Sequence, residues 1–539
     1  MSDPWNLYWG DSHTNLHVLP PGAEPAASAA GGRTAAATNL PREVSADLDA
    51  ALEHARATLH FWPIAYYPYT YSFTGDWRTE HWRPAREVDA AWRSICDLAR
   101  RGNRDGELVV FPGFEWQGDG RQGDHNVFFR DDDPPLLRSA TLEDLYADLR
   151  ASGRAALALP HHTAYQPGVR SKDWSVHDEE FSPLAEIFSA HGCSESDAEG
   201  PGLRRNWHLG PGVSGGTYED ALARGIKIGA IASTDEHAGN PGRWGCGLMG
   251  CWAAALDRRS LWEAFTARRA YAVTGDRIEL DVRVADAMMG AAVAQRGPVP
   301  VRARVRGLDA IDRIELIRNG RVIATRCCRG TWAPPAGPAR VRARLRVEAG
   351  WGPTPSDRAE VPPREWTCRI EVPNGAIVSA QPCWRTRGQQ LGPVGGAGCD
   401  FGFRTHCAEV PGRGPQTEAT VFEIEAAPDD EIRLALDGQK VSMTLGEAMA
   451  GSRVVYFPEE TARFARACGV DLERQARKEG VYFYSHKVKV HRAIPEAGVT
   501  AELDYTDAAP PAGVNHYRVR VTQDNGQLAW SSPVWVDAG

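Results

Sequence analysis

The chain has 539 residues, and 61 Lys+Arg against 70 Asp+Glu give a formal net charge of −9. A mildly acidic chain lacks the basic field that phosphate-backbone binding requires, which argues against general nucleic-acid affinity. No stretch approaches the ~18 consecutive apolar residues of a membrane span, and 42% hydrophobic with 24% charged residues is the balance of a globular protein.

At about 150 residues per domain, two to four domains are expected. Gly 54 and Pro 37 favour many turns over a helical bundle. The opening, Met1 to Gly10, is polar and aromatic and has no basic stretch followed by an apolar one, so a cytoplasmic location is expected. The 11 cysteines include no C-x-x-C pair, which argues against a zinc ribbon. Free thiols are the expectation, with a disulfide among Cys383, Cys399 and Cys407 as the alternative.

Residues 5–10 read as a short buried strand ending at Asp11, and 22–39, rich in Ala, Gly and Pro, as a loop. Val44, Leu48, Ala51, Leu52, Ala55 and Leu59 have helical spacing over 43–59. A strand follows at 61–67, a helix at 84–101, and buried strands at 108–112 and 125–129. A helix at 141–151 leads to a strand at 155–159, another strand lies at 184–188, and a helix at 218–224 leads to a strand at 227–232. Helix and apolar strand in alternation point to a parallel sheet or a (β/α) barrel. In a barrel, the C-terminal strand ends converge on one mouth.

The pattern changes after about residue 275 to period-2 alternation without long helices, which predicts a β-sandwich-like domain. Arg318-Asn319-Gly320-Arg321 and Asp524-Asn525-Gly526 are hairpin turns by composition. The stretch 350–420, rich in Gly, Pro and Trp, reads as loops or an insertion, and 459–479 as a helical insertion. The predicted division is a barrel over 1–276 and a β-rich domain over 277–539.

Polar chemistry gathers at the expected strand ends, and 12 of the 16 histidines fall within the first 237 residues. Asp11, His13 and Asn15 alternate after the first strand and share one side if the chain stays extended. Glu115 follows an apolar strand, and a carboxylate there needs a partner or two metals to bridge. His125 precedes a strand. His161 and His162 are adjacent, so on an extended strand only one of them enters a site. Glu186 and His191 flank one strand end, and Asp235-Glu236-His237 is a compact carboxylate–imidazole pair at another. Imidazole with carboxylate suits Zn, Mn or Fe, and such ions would acidify a water and polarise a scissile group. Arg170, Lys172 and Arg243 lie near these motifs and would neutralise an anionic substrate, with a solvated surface as the alternative. Tyr66, Tyr67, Tyr69 and Tyr71 read as core packing or a substrate-facing wall. There is no Walker A sequence.

Leu7-Tyr8-Trp9-Gly10-Asp11-Ser12-His13 resembles the opening motif of PHP-type (polymerase and histidinol phosphatase) domains. The segments Phe111 to Trp116, Pro160 to Thr163, Glu186 to Gly192, Ser233 to Gly239, Arg268 to Ile278 and Ala529 to Trp535 extend the resemblance, most closely to the PHP-like family called domain of unknown function 3604. The resemblance implies an α/β fold, a distorted (β/α)7 barrel followed by the β-rich domain, and a metal-dependent, phosphoesterase-like hydrolase. It implies one to three divalent ions (Zn, Mn or Fe) held by His13, Glu115, His125, His161, Asp235 and His237, with Glu115 bridging. His191, His237 and Glu186 would serve the reaction, and Arg243 the substrate. Two positions depart from the family pattern: Asn15 replaces the second histidine of H-x-H, and Tyr67 falls where another ligand is usual. His17 or Tyr67 would then rebuild the site, and Asp11, Asn15 and His162 remain candidates for metal or substrate.

Three functions follow. The first is hydrolysis of a small phosphorylated or otherwise anionic molecule. The second is hydrolysis or a lyase step on a non-phosphate substrate at the same metal site. The third is non-catalytic binding on a decayed barrel. The expected partner is a small molecule rather than nucleic acid or membrane, and self-association into a homo-oligomer is left open.

Overall fold

A computed structural model describes residues 5–18, 47–74, 77–198, 212–335, 337–352, 363–406, 417–467, 469, 473 and 485–539. The loop expected over 22–39 lies outside the described residues, as do Cys407, the side chain of Tyr71 and most of the helical insertion beyond 467.

Among the described residues, the first half contains fourteen strands and five helices. The strands are β1 (Asn6–Gly10), β2 (Thr14–Leu16), β3 (Phe61–Tyr66), β4 (Tyr69–Thr74), β5 (Trp77–Trp82), β6 (Val109–Phe111), β7 (Gly113–Trp116), β8 (His125–Phe129), β9 (Ala156–Pro160), β10 (Leu184–Ser189), β11 (Gly192–Cys193), β12 (Gly229–Ala232), β13 (Leu248–Ala253) and β14 (Ala270–Val273). The helices are α1 (Leu48–Thr58), α2 (Ala85–Gly102), α3 (Leu142–Ser152), α4 (Tyr218–Ala223) and α5 (Arg258–Thr266). Local signals set their ends. The Thr141 hydroxyl accepts the Asp144 N–H to start α3, and Gly153 in the left-handed region stops it. Thr217 and Asp220 form a capping box on α4.

Strand β3 is buried along its whole length, and β1, β2, β6 and β7 all pair with it in parallel. The C-terminal ends of these strands therefore share one rim. The sheet is not uniformly parallel. Strand β8 runs antiparallel between β7 and β9, so its N-terminal end joins that rim, with His125 opposite Trp116 and Pro160. Strands β10 and β12 pair in parallel in a separate three-stranded sheet with β11, joined to β2 by a bridge between Thr14 and Glu236.

Strand β14 pairs with Leu528–Ser531, so one 15-stranded sheet runs from the first half of the chain into the second. A four-stranded sheet that includes Glu279–Val284, Val299–Arg306 and Thr500–Asp507 shares a core with that extension. Along Val299–Arg306 the valines and Ala303 are buried while Arg302 and Arg304 are exposed, the period-2 pattern seen in the sequence. Asn319 and Gly320 both have positive φ, as the tight hairpin requires.

Within 350–420, read as loops or an insertion, the described residues include regular strands. The stretch contributes Arg364–Glu371, Ala376–Cys383 and Gly398–Thr405 to a six-stranded and a five-stranded sheet around a separate core that includes Trp366, Ile370, Phe401, Phe422 and Ile424. Frequent Gly and Pro turns masked the alternation, although Trp366, Cys368 and Ile370 are buried between exposed Glu365, Thr367 and Arg369. The helical insertion begins as a helix over Pro458–Ala467. The nine described cysteines are free, Cys383 and Cys399 among them. No helix among the described residues is long and apolar enough to cross a membrane.

Candidate metal centre

Residues from six strand ends meet at the shared rim. His13, between β1 and β2, directs Nε2 to within 3.6 Å of Glu115 Oε2 and 3.4 Å of Asp235 Oδ1. The His161 ring, just past β9, lies 3.9 Å from the His13 ring between centroids. The ligand atoms of His13, Glu115 and His161 lie within 4.8 Å of one another, and so do those of His161, His162 and Asp235. His237 Nε2 is 3.4 Å from Asp235 Oδ1, and His237 Nδ1 is 2.9 Å from His17 Nε2. Tyr67 stands at ring contact with both His17 and His237. Its hydroxyl accepts from Gln117 Nε2, which also donates to Glu115 Oε1.

Separations of 3.4–3.6 Å match the edge of a tetrahedron with metal–ligand bonds of about 2.1 Å. The unmet valences point the same way. His161 is buried, yet among the described residues neither ring nitrogen has a hydrogen-bond partner, and Glu115 Oε2 has none. Buried polar atoms rarely stay unsatisfied without a ligand or an ion to meet them. The residues present therefore fit a divalent cation.

Electrostatics agrees. Burial lowers the His161 pKa, and neighbouring His13 and His162 lower it further, so the imidazole is neutral as a metal requires. Burial opposes charge on His13, but Asp235, Glu115 and Glu186 outweigh it and raise its pKa well above the usual value. Burial also opposes ionisation of Glu115 and Asp235. His13 reverses that for both, helped by His191 at Asp235, and holds each carboxyl below its usual range. Three carboxylates around one imidazole leave the cluster short of positive charge.

Several expected residues have other roles. Asp11 does not face the cluster. Its carboxylate accepts from the Thr234 N–H (3.0 Å) and hydroxyl (2.7 Å), the His13 N–H (3.1 Å), the Gly242 N–H (2.9 Å) and the Thr14 hydroxyl. It clamps the turn after β1 to the turn after β12. Asp11→Ala would strand these buried donors, and a loss of about 3 kcal/mol or more in unfolding free energy is expected from urea titration. Glu186 was expected to act on the substrate. It stands behind His13 instead, 3.3 Å from Nδ1, and accepts from the Ser233 hydroxyl and the His162 N–H. This carboxylate–imidazole pair fixes the ring so that Nε2 faces the cluster.

His125 is not brought in. Its ring faces Trp116 and Tyr146, and Nδ1 contacts the Gly123 carbonyl. The reversed strand β8 sets the parity, so the preceding Asp124 turns toward His162 and Arg170. Alternation along β8 was the missed signal. His162 has positive φ, which breaks the extended backbone and allows both adjacent histidines to reach the cluster, against the expectation of one. Asp235 and Arg170 also have positive φ, and strained backbone of this kind gathers at functional sites. Asn15 directs Nδ2 to 3.3 Å from His13 Nε2, 3.2 Å from His237 Nε2 and 3.5 Å from Asp235 Oδ1. Arg243 lies off the cluster, 3.7 Å from Glu236, while Arg170 Nη2 comes within 3.9 Å of Glu115.

No family model matches the sequence. It is similar to an uncharacterized protein of Chlamydia muridarum (strain MoPn / Nigg), 30% identical over 166 residues, covering 27% of this chain and 26% of that protein. An uncharacterized protein of Chlamydia trachomatis serovar D matches with the same identity and coverage. One of Chlamydia pneumoniae is 24% identical over 256 residues, 43% of this chain and 40% of that one. The chain thus spans 26% of the length of the first two relatives. Among solved structures it is similar to a two-domain protein containing a predicted PHP-like metal-dependent phosphoesterase from Bacteroides vulgatus ATCC 8482, with 9% identity, 82% of this chain and 96% of that chain covered, and a TM-score of 0.31. A TM-score of that size does not establish a shared fold.

Proposed function

We propose that the chain is a metal-dependent hydrolase on a PHP-type (β/α)7 barrel, acting on a small anionic substrate with phosphate esters first. The observation that carries this reading is His161, a buried imidazole with both nitrogens unpartnered between His13, Glu115 and Asp235. His13, Glu115, His161 and Asp235 would hold the ion, whether Zn, Mn or Fe. A divalent cation supplies Lewis acidity at such a site.

The chain's own residues do the rest. Glu186 orients His13, and Gln117 orients Glu115. Arg170, beside Glu115, would attract and turn the anionic group of the substrate. His237, a quarter exposed where its neighbours are buried, stands at the entrance and would move a proton between substrate and solvent. Asn15 supplies an amide donor among His13, His237 and Asp235, where the family pattern has a second imidazole, so fewer ions than three are proposed. That substitution also favours the second reading, hydrolysis or a lyase step on a non-phosphate bond.

The test is metal content by inductively coupled plasma mass spectrometry after growth with Zn, Mn or Fe, followed by a panel of phosphate mono- and diesters. At least one retained ion per chain and turnover of a phosphoester are expected. Turnover confined to other substrates would move the assignment to the second reading. Absence of metal under every supply would leave a non-catalytic binding protein.

A further inference from the structure

Arg170 stands at the inner end of an exposed turn, Gln166 to Val169, in the loop after β9. Its backbone N–H donates to the Gly120 carbonyl at 2.7 Å, and its φ of +60° is one that a side chain adopts only where its surroundings impose it. The side chain is held as well. Nε donates to Asp124 Oδ2 at 2.7 Å, and Nη2 reaches the same oxygen. The Asp124 carboxylate is fully buried where the guanidinium is 22% exposed, so the acid is the fixed partner. The Asp124 carbonyl accepts from the His161 N–H at 3.2 Å, and Oδ2 lies 3.4 Å from His162 Nε2, which ties this acid to the histidine pair. Held there, Arg170 brings Nη2 within 3.9 Å of Glu115 Oε1. An arginine that samples its rotamers loses that freedom when it grips an anion, and one already held in place loses less.

We infer that Asp124 is a positioning residue that presets Arg170 beside Glu115, so that an anion gripped by Arg170 is presented to the metal centre rather than to the outer rim of the mouth. Presentation to the centre rests on the metal-centre reading above; the hold of Asp124 on Arg170 does not.

Inorganic phosphate is the probe, titrated into Co2+-loaded protein and followed by calorimetry and by the visible Co2+ spectrum. The wild type should bind phosphate with a change in that spectrum. Asp124→Asn keeps the size of the side chain and removes its charge. It should weaken phosphate binding about tenfold and leave Co2+ affinity as in the wild type. Arg170→Gln should lose at least as much, and adding Asp124→Asn in that background should cost nothing further. A penalty of equal size in both backgrounds would overturn the inference. So would a loss of Co2+ affinity in Asp124→Asn, no phosphate binding by the loaded wild type, or binding that leaves the spectrum unchanged. In metal-free protein, trypsin should cut after Arg170 faster in Asp124→Asn than in the wild type, with cleavage elsewhere unchanged. Equal cleavage after Arg170 in the two proteins would overturn the hold. Failure of the wild type to take up Co2+ would overturn the metal-centre reading, and the cleavage would still decide the hold.

Discussion

Asp235→Asn is expected to bind divalent metal at least about 100-fold more weakly than the wild type, the upper end of what even outer partners of a metal cost. Asp235 faces three imidazoles of the cluster. Oδ1 faces His13 and His237, both at 3.4 Å, and Oδ2 faces His191 at 2.8 Å. Losing its charge removes a ligand and leaves His13 with one fewer of the carboxylates that hold it in place. Asparagine is the informative replacement because residue 235 has φ of +48°, which Asp and Asn tolerate and alanine does not. Alanine would mix backbone strain with the loss of the ligand. Metal content of the folded variant, checked by circular dichroism and read beside Glu186→Gln, decides the matter. Glu186→Gln keeps the ligand set but loosens His13, so a smaller loss of about 10-fold is expected. An unchanged metal content in Asp235→Asn would remove Asp235 from the centre.

The sequence made some parts of this arrangement legible and concealed others, for physical reasons. The apolar strands and the capped helices were readable because continuous burial and capping are local: Thr141 with Gly153, or Thr217 with Asp220, sets an end without reference to the rest of the chain. His13, Glu115, His161, Asp235 and His237 were readable because strand ends collect chemistry. Strand direction was not local. The reversal of β8 depends on its neighbours β7 and β9, and it exchanges His125 for Asp124. Backbone sign was not local either, since φ at His162 breaks an alternation that the sequence by itself implies. Clamps such as Asp11 looked like ligands because a carboxylate that gathers backbone donors and one that gathers a cation have the same sequence signature. The sheets over 350–420 were hidden by composition, because Gly and Pro between short strands look like loop until the partner strands are known.

Asp276→Ala should cost roughly 3–5 kcal/mol of stability, the range for breaking a buried ion pair by removing one partner. Asp276 is fully buried just past β14, where the first half of the chain meets both cores of the second. Oδ1 accepts from Arg346 Nη2 at 2.6 Å and Trp244 Nε1 at 2.9 Å, and Oδ2 accepts from Gln523 Nε2 at 2.9 Å and Asn525 Nδ2 at 2.7 Å. One carboxylate thus ties the loop after His237, a strand of the separate six-stranded sheet and the C-terminal hairpin. Burial opposes ionisation of Asp276, but Arg346 together with the Asn525, Trp244 and Gln523 donors outweighs it and keeps the carboxyl below its usual range. Without Asp276, Arg346 would remain buried against Trp244 with its charge unmatched. Adding Arg346→Met should recover much of the loss, because an apolar chain of similar length removes the stranded charge. Urea titration followed by tryptophan fluorescence and circular dichroism tests both variants. Equal midpoints for wild type and Asp276→Ala would show that the carboxylate does not hold the halves together. A large loss that Arg346→Met does not relieve would place the cost in the Trp244, Gln523 and Asn525 donors. Trp244 follows His237 in the same loop and donates its backbone N–H to the Trp384 carbonyl. The six-stranded sheet therefore steadies the segment that carries the Asp235 and His237 pair, and Asp276→Ala is expected to weaken metal retention along with stability.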